Sequence, residues 1–177
     1  MRFFRLSLLT VLVAGVGMAN AADTQGSLTI TGNIVDQTCE VDAAQMTRTV
    51  DLGNISKGSI TAAVVDGSVV SKPLVFDLTG CPANAQSVGI RFDFTPDASH
   101  TTYLSNTGTG AGVLLGITDD QDNLEQSGGV VLATNLDTTA GTATVNAKVH
   151  AYRTAAVDAD ITAGNIASTA TVTINQD

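Results

Sequence analysis

The chain has 177 residues, of which 44% are hydrophobic and only 4% aromatic, with no tryptophan and a formal charge of −9. An acidic chain without a basic cluster excludes nucleic acid and anionic membrane as principal partners, because either would need a compensating basic patch. Gly, Thr, Ser, Val and Ala dominate, which suits pleated strands and their turns, and helical periodicity is weak throughout.

Residues 1–21 carry Arg2 and Arg5, an apolar run from Leu6 to Val16, and the small-residue pattern Ala19-Asn20-Ala21. That is the anatomy of a secretory signal peptide, with an apolar core too short for a comfortable membrane span. An uncleaved anchor is the competing reading, but nothing after Ala21 resembles a second apolar span, so no membrane insertion is expected after cleavage. Removal would leave 156 residues with six basic side chains against seventeen acidic ones, a charge of −11. That length suits one domain with a real core.

The stretch Ala22 to Asp42 alternates apolar and polar residues without a turn to fold it back. Leu28 and Ile30, with Ile34 beyond Gly32, predict a strand, and the glycine inside it suggests a bulge or a close backbone approach. Cys39 stands near its end, and Cys81 is the only other cysteine. An even count in an exported chain favours one disulfide, closing a loop of about forty residues worth roughly 4 kcal/mol on the chain-entropy model. Two free buried thiols are the alternative.

Leu74, Phe76 and Leu78 predict the next strand, which runs into the turn signal Gly80-Cys81-Pro82. Val88, Ile90, Phe92 and Phe94 make the strongest alternation, with Gly89, Arg91 and Asp93 on the opposite face, and predict the central strand of the core. Residues 96–112 read as loop, with a short strand at Thr102 to Leu104. Val113, Leu115 and Ile117 resume the alternation before the polar turn Asp119-Asp-Gln-Asp-Asn. Gly129 to Leu136 is a weaker strand. Val145, Ala147, Val149 and Ala151 form another, with Asn146, Lys148, His150 and Tyr152 expected outward. Ile166, Ser168, Ala170, Val172 and Ile174 form the last. Such a series predicts an all-β fold, an antiparallel sandwich of immunoglobulin-like type, although composition alone leaves jelly rolls and small barrels open.

Catalytic patterns are missing. His100 and His150 stand fifty residues apart with no convergent carboxylate or nucleophile pattern, so both are expected as surface histidines. Asp119 to Glu125 has the oxygen density of a calcium loop but puts Leu124 where the EF-hand turn requires glycine. Gly108-Thr-Gly110-Ala-Gly112 lacks the Lys-Ser/Thr of a phosphate cradle and reads as a flexible loop. No nucleophile elbow is present. No enzyme, metal or cofactor is expected.

Both ends of the mature chain read as strands, and here the residues resemble a known family. Gly26-Ser-Leu-Thr-Ile-Thr-Gly-Asn-Ile-Val-Asp-Gln-Thr-Cys39-Glu-Val-Asp42, Val50-Asp-Leu-Gly53, Leu74-Val-Phe-Asp-Leu-Thr-Gly-Cys81-Pro, Leu104-Ser-Asn-Thr-Gly108 and Gly112-Val-Leu-Leu-Gly116-Ile occur in order, and Gly164 stands fourteenth from the last residue. The chain resembles the subunits of chaperone-usher fimbriae, type 1 major pilins above all. One departure is that Gln176 stands where the family usually has an aromatic, before Asp177.

The resemblance implies a sandwich lacking its last strand, with a groove along the C-terminal strand carrying Gly164, Ile166, Ala170, Val172, Ile174, Gln176 and Asp177. It implies a signal peptide over 1–21, a donor-strand extension over 22–33 and a pilin domain over 34–177. Donor-strand complementation of pilins is itself a standard instance of strand addition. A periplasmic chaperone would lend a strand first, an outer-membrane usher would receive the subunit, and a neighbouring pilin subunit would then replace the chaperone. Thr24, Gly26, Leu28 and Ile30 would face a neighbour's groove, and the product would be an extracellular fimbrium that serves adhesion. From the residues alone, Ala22 to Thr31 could instead be the first strand of its own sheet. The alternatives in function are a minor or adaptor pilin, or a self-complete secreted carbohydrate-binding sandwich drawing on Tyr103 and Tyr152.

Overall fold

The computed structural model describes residues 37–177. The segments 1–21 and 22–33, with Thr24, Gly26, Leu28 and Ile30, and the strand expected around Leu28 to Ile34, lie outside the described residues.

Among the described residues, seven strands build two antiparallel sheets: β1 (Glu40–Val41), β2 (Ser68–Thr79), β3 (Val88–Phe94), β4 (Val113–Thr118), β5 (Gly129–Leu132), β6 (Ala143–Arg153) and β7 (Ala170–Gln176). One sheet has the order β1-β2-β6-β4 and the other β5-β3-β7. β3 is central because its alternation is unbroken. Val88, Ile90, Phe92 and Phe94 are all buried, while Arg91 faces out and pairs with Asp93 at 2.9 Å. Across the sandwich, Leu74, Phe76 and Leu78 of β2 and Val145 and Ala147 of β6 meet them, with the Phe76 and Phe92 rings 6.0 Å apart.

The chain also makes two short helices that hydrophobic periodicity does not announce, because neither has a long apolar face. In α1 (Ala43–Met46) the Asp42 carboxylate accepts from the Ala44 N–H, and in α2 (Lys57–Ala62) the Ser56 hydroxyl accepts from the Ser59 N–H. Asp and Ser are the residue types that satisfy such orphan amides, so the caps are legible where the periodicity is not. The expected strand at Thr102 to Leu104 shrinks to single bridges from Leu104 to Pro96 and Leu115, and the last strand begins at Ala170 rather than Ile166.

The outer face of β6 corrects another expectation. His150 and Tyr152 are buried, not outward. Tyr103, Leu114 and Tyr152 form a small second core there with Leu124, and His150 stacks on Tyr152 with centroids 5.4 Å apart. Alternation marks two faces but cannot tell a solvated face from one covered by distant loops.

Candidate functional site

Strand β7 is an edge strand, paired through β3 from Val88↔Gln176 to Phe94↔Ala170 and unpaired on its other side among the described residues. Its inward residues Ala170, Val172 and Ile174 pack against the core yet stay half-buried, unlike their counterparts on β3. Among the described residues no strand covers this edge.

The opposite wall comes from residues 45–55, which run beside the open edge of β2. Gln45 Oε1 accepts from the Asp77 N–H, and the Arg48 guanidinium donates to the Val75 carbonyl at 2.7 Å while lying 4.6 Å from the centre of the Phe76 ring. Burial lowers the Arg48 pKa. Between this wall and β7 lies a cavity of about 310 Å³ floored by Phe76, Phe92, Leu115 and Ile117. A second, of about 620 Å³, continues from Val50 and Leu115 past Leu52, Ile55 and Ile60 to Ile161 and Ile166. Thr49, Val50 and Leu115 line both, so the two form one apolar groove.

Gly164 and Ile166 stand at the far end of that groove, in an extended segment ahead of β7. The segment is fastened to the glycine-rich stretch: the Gly110 N–H donates to the Asn165 carbonyl and the Thr107 N–H to the Ala167 carbonyl. A Cβ on Gly108 would strike the Asn165 carbonyl, and one on Gly164 would strike the Gly110 nitrogen. Gly108 and Gly110 are thus a close backbone contact, not the expected flexible loop. Their density is the signal, and the partner segment, more than fifty residues further on, leaves no local pattern beside it.

At the near end, Cys39 and Cys81 form a disulfide with Cα atoms 4.2 Å apart. The half-buried Gln176 side chain accepts from the Cys39 N–H at 2.9 Å, and Gln37 donates to the Gly80 carbonyl at 2.8 Å. Asp177 exchanges backbone hydrogen bonds with Ser87 and accepts from the Gln86 N–H. The amide that replaces the expected aromatic therefore ties the end of β7 to the root of the N-terminal segment. Gln176 stands out in the sequence as a departure, but its partner Cys39 lies 137 residues away, beyond any local pattern.

Nothing in this groove resembles a catalytic centre, and among the described residues no cluster of His, Cys, Asp or Glu could hold a metal ion. Tyr103 and Tyr152 are 7% and 9% exposed, so neither offers a sugar-stacking platform.

A family model described as "Fimbrial protein" matches residues 28–177. Fimbria A protein of Serratia marcescens is 34% identical over 70% of this chain and 71% of its own length. The S-fimbrial adhesin protein SfaS of Escherichia coli is 33% identical over 88% of this chain and 86% of its own. Among solved structures, a chaperone-usher pilus subunit superposes with a TM-score of 0.65 at 20% identity, over 88% of this chain and 98% of that one. The P pilus rod subunit PapA gives 0.62 at 19%, over 78% and 99%.

Proposed function

The chain belongs to the fimbrial protein family, and from that premise we propose that its groove receives a strand from a neighbouring subunit while its own residues 22–33 fill the next groove. The family is one of structural pilins rather than enzymes, and its members form an extracellular pilus assembled through the periplasm. The observation that carries the proposal is the edge strand β7, whose core-facing Ala170, Val172 and Ile174 are left half-buried beside an apolar groove.

The physical fit is direct. Eleven extended residues from Ala22 to Gly32 span roughly 35 Å, enough to cover most of the groove between Gln176 and Gly164. Leu28 and Ile30 would each contribute about 1.5–3 kcal/mol on full burial. Thr24 and Gly26 share their face, and Gly26 would meet a place too shallow for a side chain.

Direction follows from where the chain enters the domain. Gln37 lies at the Gln176 end of the sandwich. A donor parallel to β7 would leave the groove at that same end and set two like ends face to face. A donor antiparallel to β7 leaves at the Gly164 end, so each subunit keeps one free groove and one free extension. That arrangement is heterologous and does not close, so it makes a filament.

A periplasmic chaperone covering the groove first, and an outer-membrane usher receiving the subunit, complete this reading. An uncovered apolar edge is an aggregation hazard that exported chains must manage. Deleting Ala22–Gly32 should leave a domain that still binds chaperone yet cannot enter fibres. Normal polymer from that deletion would overturn the donor assignment.

A further inference from the structure

Among the described residues the exposed large apolar side chains are Val64 (76%), Val65 (45%), Val157 (54%) and Leu132 (55%). Three of these lie on two loops that the Arg153 side chain joins. Val64 and Val65 occupy the turn after α2, closed by the Gly67 N–H on the Val64 carbonyl, and Val157 precedes the short 3-10 helix Asp158–Asp160.

A single buried cation holds both loops in place. The Arg153 guanidinium donates to the Thr61 and Ala63 carbonyls at 2.9 and 3.0 Å, to the Ala155 carbonyl at 2.9 Å, and to the Asp158 carboxylate at 2.9 Å. Its backbone exchanges bonds with Asp66 and Gly67. The valines are therefore presented to solvent by a fully hydrogen-bonded frame. Scattered surface valines are ordinary, whereas a fixed cluster is a surface awaiting a partner.

The patch borders the Gly164 mouth of the groove. Lys57 and Ile60 of α2 and Ile161 after the 3-10 helix line the larger cavity, and the Lys57 ammonium donates to the Ile161 carbonyl at 2.9 Å. We infer that Val64, Val65 and Val157 seat the base of the neighbouring pilus subunit, the one whose strand fills this groove.

The inference rests on the strand-exchange reading above. With the donor strand antiparallel to β7, the donor chain leaves the groove at this mouth, and only the residues from Gly32 to Gln37 separate the strand from its own domain. Five residues reach at most about 18 Å, so the donor's base must lie against this end. That base carries Gln37, Gly80 and Asp177. Leu132, the fourth exposed apolar residue, lies at the same end, opposite Gly89 in a strand where Val88 faces Gln176. Head-to-tail stacking thus brings the apolar surface of one end toward that of the other.

The test uses the mature subunit with Val64→Asp and Val157→Asp together, alongside Val64→Leu. A synthetic Ala22–Gly32 peptide should bind the groove of the double variant within twofold of wild type, and thermal unfolding of the subunit should be unchanged. Its fibres should form at least tenfold more slowly and dissociate sooner in denaturant, while Val64→Leu assembles like wild type. A photo-crosslinker at position 64 should capture the Gly80–Asn84 or Leu132 region of an adjacent subunit. Wild-type fibre formation and stability in the double variant, or capture of only a non-pilin protein at position 64, would overturn the inference. Failure of the peptide to bind even wild type would overturn the strand-exchange reading beneath it, and is distinguished by that result.

Discussion

At the scale of single residues, two glycines of similar appearance predict opposite outcomes. Gly58 lies within α2, where a Cβ would meet only the Ser56 hydroxyl at 3.8 Å. Gly58→Ala should stabilise the domain by about 0.4–1 kcal/mol, since alanine fits the helical backbone there and leaves the unfolded chain less freedom to lose. A Cβ on Gly108 would press into the Asn165 backbone, with its carbonyl carbon only 2.7 Å away. Gly108→Ala should cost about 1–3 kcal/mol by overpacking. Urea midpoints of the two variants against wild type measure both.

His150 supplies a pH dependence. Burial lowers its pKa below the usual 6.5, outweighing the Asp122 carboxylate 3.3 Å from Nε2. Lys148 opposes protonation further, and the Ser68 hydroxyl bonds Nδ1 at 2.8 Å. A folded-state pKa below the unfolded one means that the unfolded chain binds the proton first. The contribution is therefore complete above pH 6.5 and is lost as pH falls from there toward the folded value. Asp122 acts in a lower window: its bond from Lys148 holds its pKa under 3.8, so its contribution persists until the pH drops below that. Thermal unfolding between pH 7.5 and 5 should decline in wild type by no more than about 1.4 kcal/mol per pH unit from this group. It should flatten in His150→Gln.

At the scale of elements, the weakest paired strand carries much of the site. β1 pairs with β2 only through Glu40↔Thr79 and Val41↔Leu78, and what anchors it is the Cys39–Cys81 disulfide and the Gln176 side chain. The chain after β1 becomes the wall of the groove. Replacing both cysteines by alanine should cost about 2–5 kcal/mol. It should also weaken capture of the Ala22–Gly32 peptide beyond what Gly108→Ala does, because the wall is loosened as well as the fold. Calorimetry on the same samples separates the two effects. β2, β3, β4 and β6 are legible from the apolar period of 2 around Phe76, Phe92, Ile117 and Val145, although burial follows that period only in part: Leu114 of β4 and His150 and Tyr152 of β6 are buried on the other face. The inward stripe Ala170, Val172 and Ile174 was legible for the same reason. The groove wall at 45–55 was not, because it is irregular backbone held by Gln45 and Arg48 on single carbonyl and amide groups. The second core around Tyr103 and Tyr152 was hidden because it forms between segments fifty residues apart, where no local period can register it.

At the scale of the whole molecule, charge should decide how assembly responds to salt. Residues 37–177 carry fifteen acidic side chains against six basic ones. Of the basic ones, Arg91, Lys148 and Arg153 already pair with Asp93, Asp122 and Asp158. Both faces that the proposed stacking would bring together are acidic as well as apolar: Asp66, Asp158 and Asp160 stand close in sequence to the valines of one end, and Asp177 and Glu40 belong to the opposite end. Two subunits stacking in that way would approach against a like-charge field, which screening relieves as the Debye length contracts from about 30 Å at 0.01 M to about 8 Å at 0.15 M. Subunit-to-subunit exchange into fibres should accelerate over that range. The chaperone proposed to cover the same groove would behave oppositely where its own surface is basic, associating more slowly as salt rises, because its attraction to the acidic subunit is what screening removes. Stopped-flow measurements of both reactions across the same salt series give the comparison. Equal slopes of the same sign would show that apolar burial in the groove, and not the field of the whole molecule, controls which partner occupies β7.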